Sequence, residues 1–402
     1  MSINVPGITE ATGRNLVTVL EKIAAINAAG TTFDFSSFKK IQDMVKNGLA
    51  PYALPIGSQI LVPWTDKATN TAYTIPFDVA HHGKATLADG EIVPAMFLQS
   101  HYCTPFGVQF TNYQAFYYAA SAILAAGTYN VILGTSWGTK AVSGKTYQFT
   151  LTKDLPVGGQ LSGFEALPDR NPSLWQVKAW ASNTATTPIE TVSVTEGSEG
   201  TNLGTLKFGG DGTLNCMQRT GYGYNRWGKS ALRQFLNSNK GVNAWWTPQS
   251  TFDRFPNELL TKQGFLTGFA DDFLAILTAT KVTTALNTLT DSADGTTEDT
   301  YDKFFLPSLQ NIYAVTQLSD VEGPTWEYWQ RASGMVNPVP WNTNYPNMVT
   351  YALENHASAQ TVRVRSATRY SGGSTWYVSS SGNIGYGVAV TAYRFAPACA
   401  IV

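Results

Sequence analysis

Apolar side chains recur at Leu16, Val19, Leu20 and Ile23, the i, i+3, i+4, i+7 spacing that lines one face of a helix. Thr9 or Thr12 can cap its start, and Gly30 suits the position just past its end. A second pattern of this kind, Phe38, Ile41 and Val45, follows Ser36 or Ser37 as cap and stops at Gly48, ahead of Pro51. Two short amphipathic helices need a surface to cover, either on their own chain or on an oligomer partner. From Leu54 the period shortens to that of strands. Gln59–Trp64 and Thr74–Val79 read as strands, and so do Gly127–Leu133, Lys145–Leu151 and Ile189–Thr195, divided by Gly, Pro, Ser and Asn turns. Further on, Leu232, Phe235 and Leu236 predict a helix over Lys229–Asn237. Phe273–Ala285 and Asp302–Leu306 read as strands, Glu322–Trp329 as a short aromatic helix, and Asp291–Asp299 as a surface turn.

These elements divide the chain into a helical segment at 1–53, one domain assembled from 54–103 and 216–402, and an inserted β-sandwich at 104–215. The insertion follows from the texture, which resumes after the block as it was before it. Insertion is tolerated where a module's two ends lie close together. Cys103 and Cys216 flank the block, so they should lie close in space if its ends enter and leave side by side. A disulfide between them would need Cα atoms within about 7 Å. Reduced thiols are expected for a protein assembled in the cytoplasm.

Composition narrows the function. Only 14% of the 402 residues are charged and the formal net charge is −1, which lacks the basic footprint of a nucleic-acid binder. Aromatic side chains (11 Trp, 19 Tyr and 20 Phe) supply the bulk for a core despite an apolar share of 43%. Met1–Arg14 has neither the charged nor the apolar region of a signal peptide. The longest apolar run, Ala115–Ala126, is too short for a membrane span of about 20 residues. The expectation is therefore a product made soluble in the cytoplasm, with no membrane insertion and no nucleic-acid partner.

No catalytic or metal centre is read from the residue patterns. His81 and His82 are neighbours on a strand and so point to opposite faces, which disfavours joint ligation with Asp78 or His101. Asp271-Asp272 diverge in the same way and read as a cap or turn, since acid–base work needs convergent groups. No cofactor is expected. The end of the chain is more informative. Val362–Ser366 and Tyr393–Ala398 bracket a stretch of Tyr, Trp, Ser, Gly, Thr and Asn, the composition of antibody-type binding loops. A plain terminal hairpin with a Tyr-rich tip is the other reading.

The run Arg365-Ser366, Tyr377-Val378, Ser381-Gly382, Arg394 and Pro397-Ala398 resembles the C-terminal part of a bacterial and phage family with a C-type-lectin-like fold, shared with formylglycine-generating enzymes. Arg226-Trp227 through Asn237, Asp302–Ser308 and Glu322–Trp329 fit in the same order. The resemblance covers 216–402 and, more weakly, 54–103. It implies an α+β class: a C-type-lectin-like domain carrying the inserted β-sandwich and the N-terminal helical segment. The family includes variable proteins of diversity-generating retroelements, among them phage tropism determinants, whose terminal cassette is rewritten on one exposed face. By that resemblance Thr368, Arg369, Tyr370, Ser374, Trp376, Asn383, Tyr386, Val388 and Tyr393 are displayed positions, with Val378 and Pro397 as framework. Trp341, Asn342 and Tyr345 would flank the binding face. The enzymes of this fold use two nearby cysteines, whereas only Cys399 lies in the terminal region here. Asn337-Pro338 and Trp341-Asn342 lack the carboxylates of a lectin calcium site. The expected function is a non-enzymatic phage virion protein, a homo-oligomer among other phage structural proteins, that binds a bacterial surface protein or glycan. The alternative is a structural virion component, a head decoration or baseplate protein, without a specific ligand.

Overall fold

The computed structural model describes residues 34–112, 118–134, 143–163, 176–182, 184–185, 187–206, 224–247, 255–288, 291, 294–312, 321–329, 345–369 and 371–402. The predicted helix around Leu16–Ile23 lies outside them. The second helix, α1 (Phe38–Lys46), starts where the Ser37 hydroxyl accepts from Lys40 N at 3.3 Å. It ends before Gly48, whose φ of +69° closes the turn. Its face of Ile41, Met44 and Val45 is buried in the main core, and Gln42 Nε2 donates to Val402 O at 2.8 Å. The helix thus packs on its own chain, against its far end. A single turn, α2 (Ala50–Ala53), follows.

Strands β1 (Gln59–Asp66), β2 (Thr71–Thr86) and β3 (Ile92–Ser100) form an antiparallel meander. It is extended by β20 (Ala398–Ile401) and β14 (Phe304–Phe305) in the order β1-β2-β3-β20-β14. Strict alternation in β1 buries Ile60, Val62 and Trp64 and exposes Gln59, Leu61 and Pro63. Pro63 is tolerated because β1 is an edge strand. A bulge between Val79 and His81 lets Val79 and Ala80 both bury. Against this sheet sit α3 (Ala231–Leu236), α4 (Asp271–Ala275) and the hairpin of β12 (Thr280–Ala285) with β13 (Thr297–Asp302). Phe265, Phe269, Phe273 and Phe304 form the aromatic centre of the main core, with ring centroids 5.2–5.4 Å apart between successive rings.

Eight more strands lie between residues 118 and 206. One sheet has the order β4 (Tyr118–Ala119), β7 (Gln160–Gly163), β8 (Gln176–Trp180), β9 (Glu190–Ser193). The other has β10 (Thr195–Glu196), β6 (Thr146–Leu151), β5 (Gly127–Leu133), β11 (Thr201–Leu206). Both line one separate hydrophobic cluster, drawn from Ala120 to Leu206. Residues 104–112 pack elsewhere: Val108 and Phe110 are in the main core, and Thr104 N bonds Phe395 O at 2.9 Å. The block with its own core therefore begins near Tyr118, not at Thr104. Its exit and return lie side by side, because Tyr224 N donates to Thr111 Oγ1 at 2.8 Å and that hydroxyl donates to Tyr224 O at 2.9 Å. Cys216 lies outside the described residues, so its approach to Cys103 does too.

The α+β expectation is corrected: the chain is mostly β-sheet, in several small sheets that are antiparallel except where β11 pairs with β5. Twenty strands stand against four α-helices of four to nine residues among the described residues. The helical patterns are real but short, and short helices gain their stability only from packing. Two local expectations also change. Phe273–Ala285 begins as α4, with Asp271 and Asp272 in its first turn, and becomes strand only at Thr280. Asp291–Asp299 is not a plain surface turn, since Asp291 is buried beneath Tyr224 and Asn287, and Thr297 onward is β13.

Candidate functional site

The terminal stretch folds as a sheet rather than as loops between strand ends. β17 (Val362–Ala367), β18 (Ser374–Val378) and β19 (Ile384–Val388) form one antiparallel sheet in that order. All six residues of β17 are buried, including two arginines. The Arg363 guanidinium donates to Thr375 Oγ1, to Val388 O at 3.2 Å and to Thr391 O at 2.7 Å, with the Tyr393 ring centroid 4.8 Å away. Arg365 donates to Leu306 O and Asn311 Oδ1, each at 2.8 Å, and to Glu322 O at 2.7 Å. The Glu322 carboxylate accepts from Ala285 N and from Ser366 Oγ. Burial pushes both guanidinium pKa values down and raises that of Glu322, while the charges of Glu322 and Arg365 oppose the shift in each other. Arg363 thus ties β17 to β18 and β19, and Arg365 pins the sheet to the body.

The turn from β17 to β18 is clamped from beneath. Asn225 Nδ2 lies within hydrogen-bond reach of the carbonyls of Thr368, Ser371 and Ser374, at 3.4, 2.6 and 2.7 Å. Its Oδ1 accepts from Asn287 Nδ2 at 3.0 Å, and Asn287 in turn holds Asp291. Buried amides that are satisfied in this way fix a single backbone path.

Upon that base sits a layer of rings. Trp376 and Tyr386 are cross-strand partners with centroids 5.5 Å apart, edge to face. Trp376 is 7% exposed, whereas Tyr386 is 52% exposed. On the opposite face Tyr377 and Tyr393, both half-buried, have centroids 5.0 Å apart. They occupy the space left by Gly385 and Gly387: a β-carbon at either would come within 2.8 Å of the tyrosine above it. The β18–β19 turn needs Gly382, with φ +80°, and a β-carbon there would collide with Tyr345 O.

The expected display positions are therefore divided. Tyr386 is exposed, and Arg369, Asn383, Val388, Tyr393 and the flanking Tyr345 are half-buried. Thr368, Ser374 and Trp376 are buried, which corrects their reading as displayed residues. They face inward because the segment is a pleated strand and its clamped turn, so alternate side chains must enter the core. Val378 and Pro397, expected as framework, are buried. Tyr370, Trp341 and Asn342 lie outside the described residues. Tyr377 was missed by sequence reasoning. Its signal was the alternation of Ser374-Thr375-Trp376-Tyr377-Val378, which puts Tyr377 on the face opposite Trp376.

The histidines have separate partners. His81 Nδ1 contacts Glu327, and His82 Nε2 contacts Leu54 O at 2.8 Å. His101 Nδ1 donates to the buried Asp78 Oδ2 at 2.8 Å, and this bond raises the His101 pKa. Burial lowers that of His82. Among the described residues no three His, Cys, Asp or Glu side chains cluster as metal ligands. Cys103 and Cys399 are buried thiols, and burial pushes Cys103 up to about 12.

Comparison with known proteins adds a boundary and no activity. Residues 213–402, under half of the chain, match a family described as a domain of unknown function, DUF6273. No curated protein and no solved structure matches the chain.

Proposed function

We propose that the chain is a phage virion receptor-binding protein whose terminal sheet binds a bacterial surface protein or glycan. The observation that carries this reading is the layering of β17–β19. Buried Arg363, Arg365 and Asn225 lock the backbone, while Tyr386 on one face and the half-buried Tyr377 and Tyr393 on the other offer aromatic area. Rings held on a rigid base give contact area at little entropic cost on binding. The phage context, the homo-oligomer and the contact with other virion proteins come from the family resemblance in the terminal motifs. No helix among the described residues is long and apolar enough to cross a membrane.

The binding residues in this reading are Arg369, Asn383, Tyr386, Val388 and Tyr393, joined by Tyr377 and flanked by Tyr345. The role is recognition without catalysis. To test it, labelled full-length chain is applied to a panel of bacterial strains, as wild type and as the Tyr386→Ala/Tyr393→Ala double variant. Saturable binding to particular strains, lost in a variant that still melts cooperatively, is the expected result. Equal binding by both proteins would remove the sheet from the interface. No binding to any strain would favour the alternative, a head decoration or baseplate component without a ligand.

A further inference from the structure

A second concave site lies outside β17–β19. Four separated pieces of chain converge on a cleft of about 230 Å³: Asp78 from β2, Gln99 and His101 at the end of β3, Tyr328 and Trp329, and the stretch from Asn347 to Tyr351 that ends in β15 (Thr350–Tyr351). Its floor is preorganised. Asp78 is buried and accepts from Gln59 Nε2 at 2.9 Å and from His101 Nδ1 at 2.8 Å. Trp329 Nε1 donates to Gln99 Oε1 at 3.0 Å. Tyr328 and Trp329 stand edge to face, with centroids 5.4 Å apart. Tyr351 is exposed across from them.

The functional groups left over define the ligand. With its Nδ1 fixed by Asp78, His101 presents Nε2. Gln99 keeps its amide N–H groups, and the exposed Asn347 offers one donor and one acceptor group. Each Asp78 carboxylate oxygen already accepts from a side-chain donor, so the residue orients the wall rather than meeting a cation. Among the described residues no Lys or Arg lines the cleft, and His101, when protonated, is already paired with Asp78, so an anion finds no free counter-charge there. The volume is below the roughly 300–1,000 Å³ of ordinary small-molecule pockets, enough for a single ring. Mixed donors and acceptors beside the exposed Tyr351 ring suit a ring whose edge carries hydroxyls and whose face carries C–H bonds. We infer that this cleft binds one neutral pyranose unit, without a metal ion and independently of the terminal sheet.

The test uses the full chain with methyl glucopyranoside, methyl galactopyranoside and methyl mannopyranoside as probes, read by saturation-transfer NMR and calorimetry. Tetramethylammonium and adenosine serve as the cationic and planar controls. The expected result is millimolar, saturable binding of at least one pyranoside with no effect of EDTA. Affinity should fall about tenfold or more in Tyr351→Ala and in Asn347→Ala, both at exposed positions, and stay unchanged in Tyr386→Ala. The Asn347 variant decides the matter if Tyr351→Ala does not fold. No pyranoside binding in the millimolar range would overturn the inference. So would tighter binding of either control, or pyranoside binding indifferent to the Asn347 substitution. Loss of cell binding in the Tyr386→Ala/Tyr393→Ala variant bears on the sheet and leaves this outcome untouched.

Discussion

Trp376 and Tyr386 face each other across two strands, yet one is core and the other surface. Their truncations should separate cleanly in urea denaturation. Trp376→Ala removes a buried ring and should cost about 3–5 kcal/mol, whereas Tyr386→Ala should stay within about ±0.5 kcal/mol. Similar costs for the two would show that the burial assigned to this pair is wrong. Histidine titration by NMR probes the cleft in the same way. The Asp78 bond raises the folded pKa of His101 above the ordinary value near 6.5. Its contribution to stability is therefore complete below that value and fades as pH rises through the raised one. Asp78→Asn should bring the His101 titration down; an unmoved midpoint would exclude the pairing. Composition made the terminal segment a candidate binding surface. It could not say which member of each adjacent pair points outward, because Trp376 and Tyr377 are both large and both phases of the alternation looked plausible. Trp376 packs in the main core, whereas Tyr377 lies over Gly385 beside the Tyr393 ring.

At the scale of elements, Gly385 and Gly387 make β19 a seat for two tyrosines. Gly385→Val should destabilise the chain by about 1–3 kcal/mol through overpacking against Tyr377, with the Tyr377 ring signals shifted in the NMR spectrum. A neutral effect would mean that the ring does not rest there. Elements with one clear period were legible: α1 from its cap and apolar face, β1 from strict alternation, β5 and β6 from short β-branched and aromatic runs. Two segments were not. In Phe273–Ala285 a one-turn helix precedes the strand, and its signal was the acidic pair Asp271-Asp272, which favours a helix start. β18 and β19 are rich in Gly, Ser and Thr, so local propensity argued for loops. Their strand conformation comes from long-range hydrogen bonds to Arg363 and Asn225, which no local pattern contains.

For the whole molecule, two hydrophobic clusters that share no residue, and a chain that leaves and returns through the Thr111–Tyr224 hydrogen bonds, describe separable units. Replacing residues 113–223 with a short Gly/Ser bridge should leave a soluble remainder with one cooperative thermal transition. Aggregation of that remainder would show that the eight-strand block completes the main core. The alternating texture located this block, but not where it begins. Val108 and Phe110 read as part of it, and only the tertiary structure assigns them to the main core. The central claim is that the terminal sheet is a fixed base carrying recognition side chains. It is tested most directly by randomising Arg369, Asn383, Tyr386, Val388 and Tyr393 together and selecting the folded variants on different bacterial strains. The account predicts that many variants fold with near wild-type melting temperatures and that some change the strain they bind. A library that mostly fails to fold, or folded variants that all keep the parental strain preference, would contradict it.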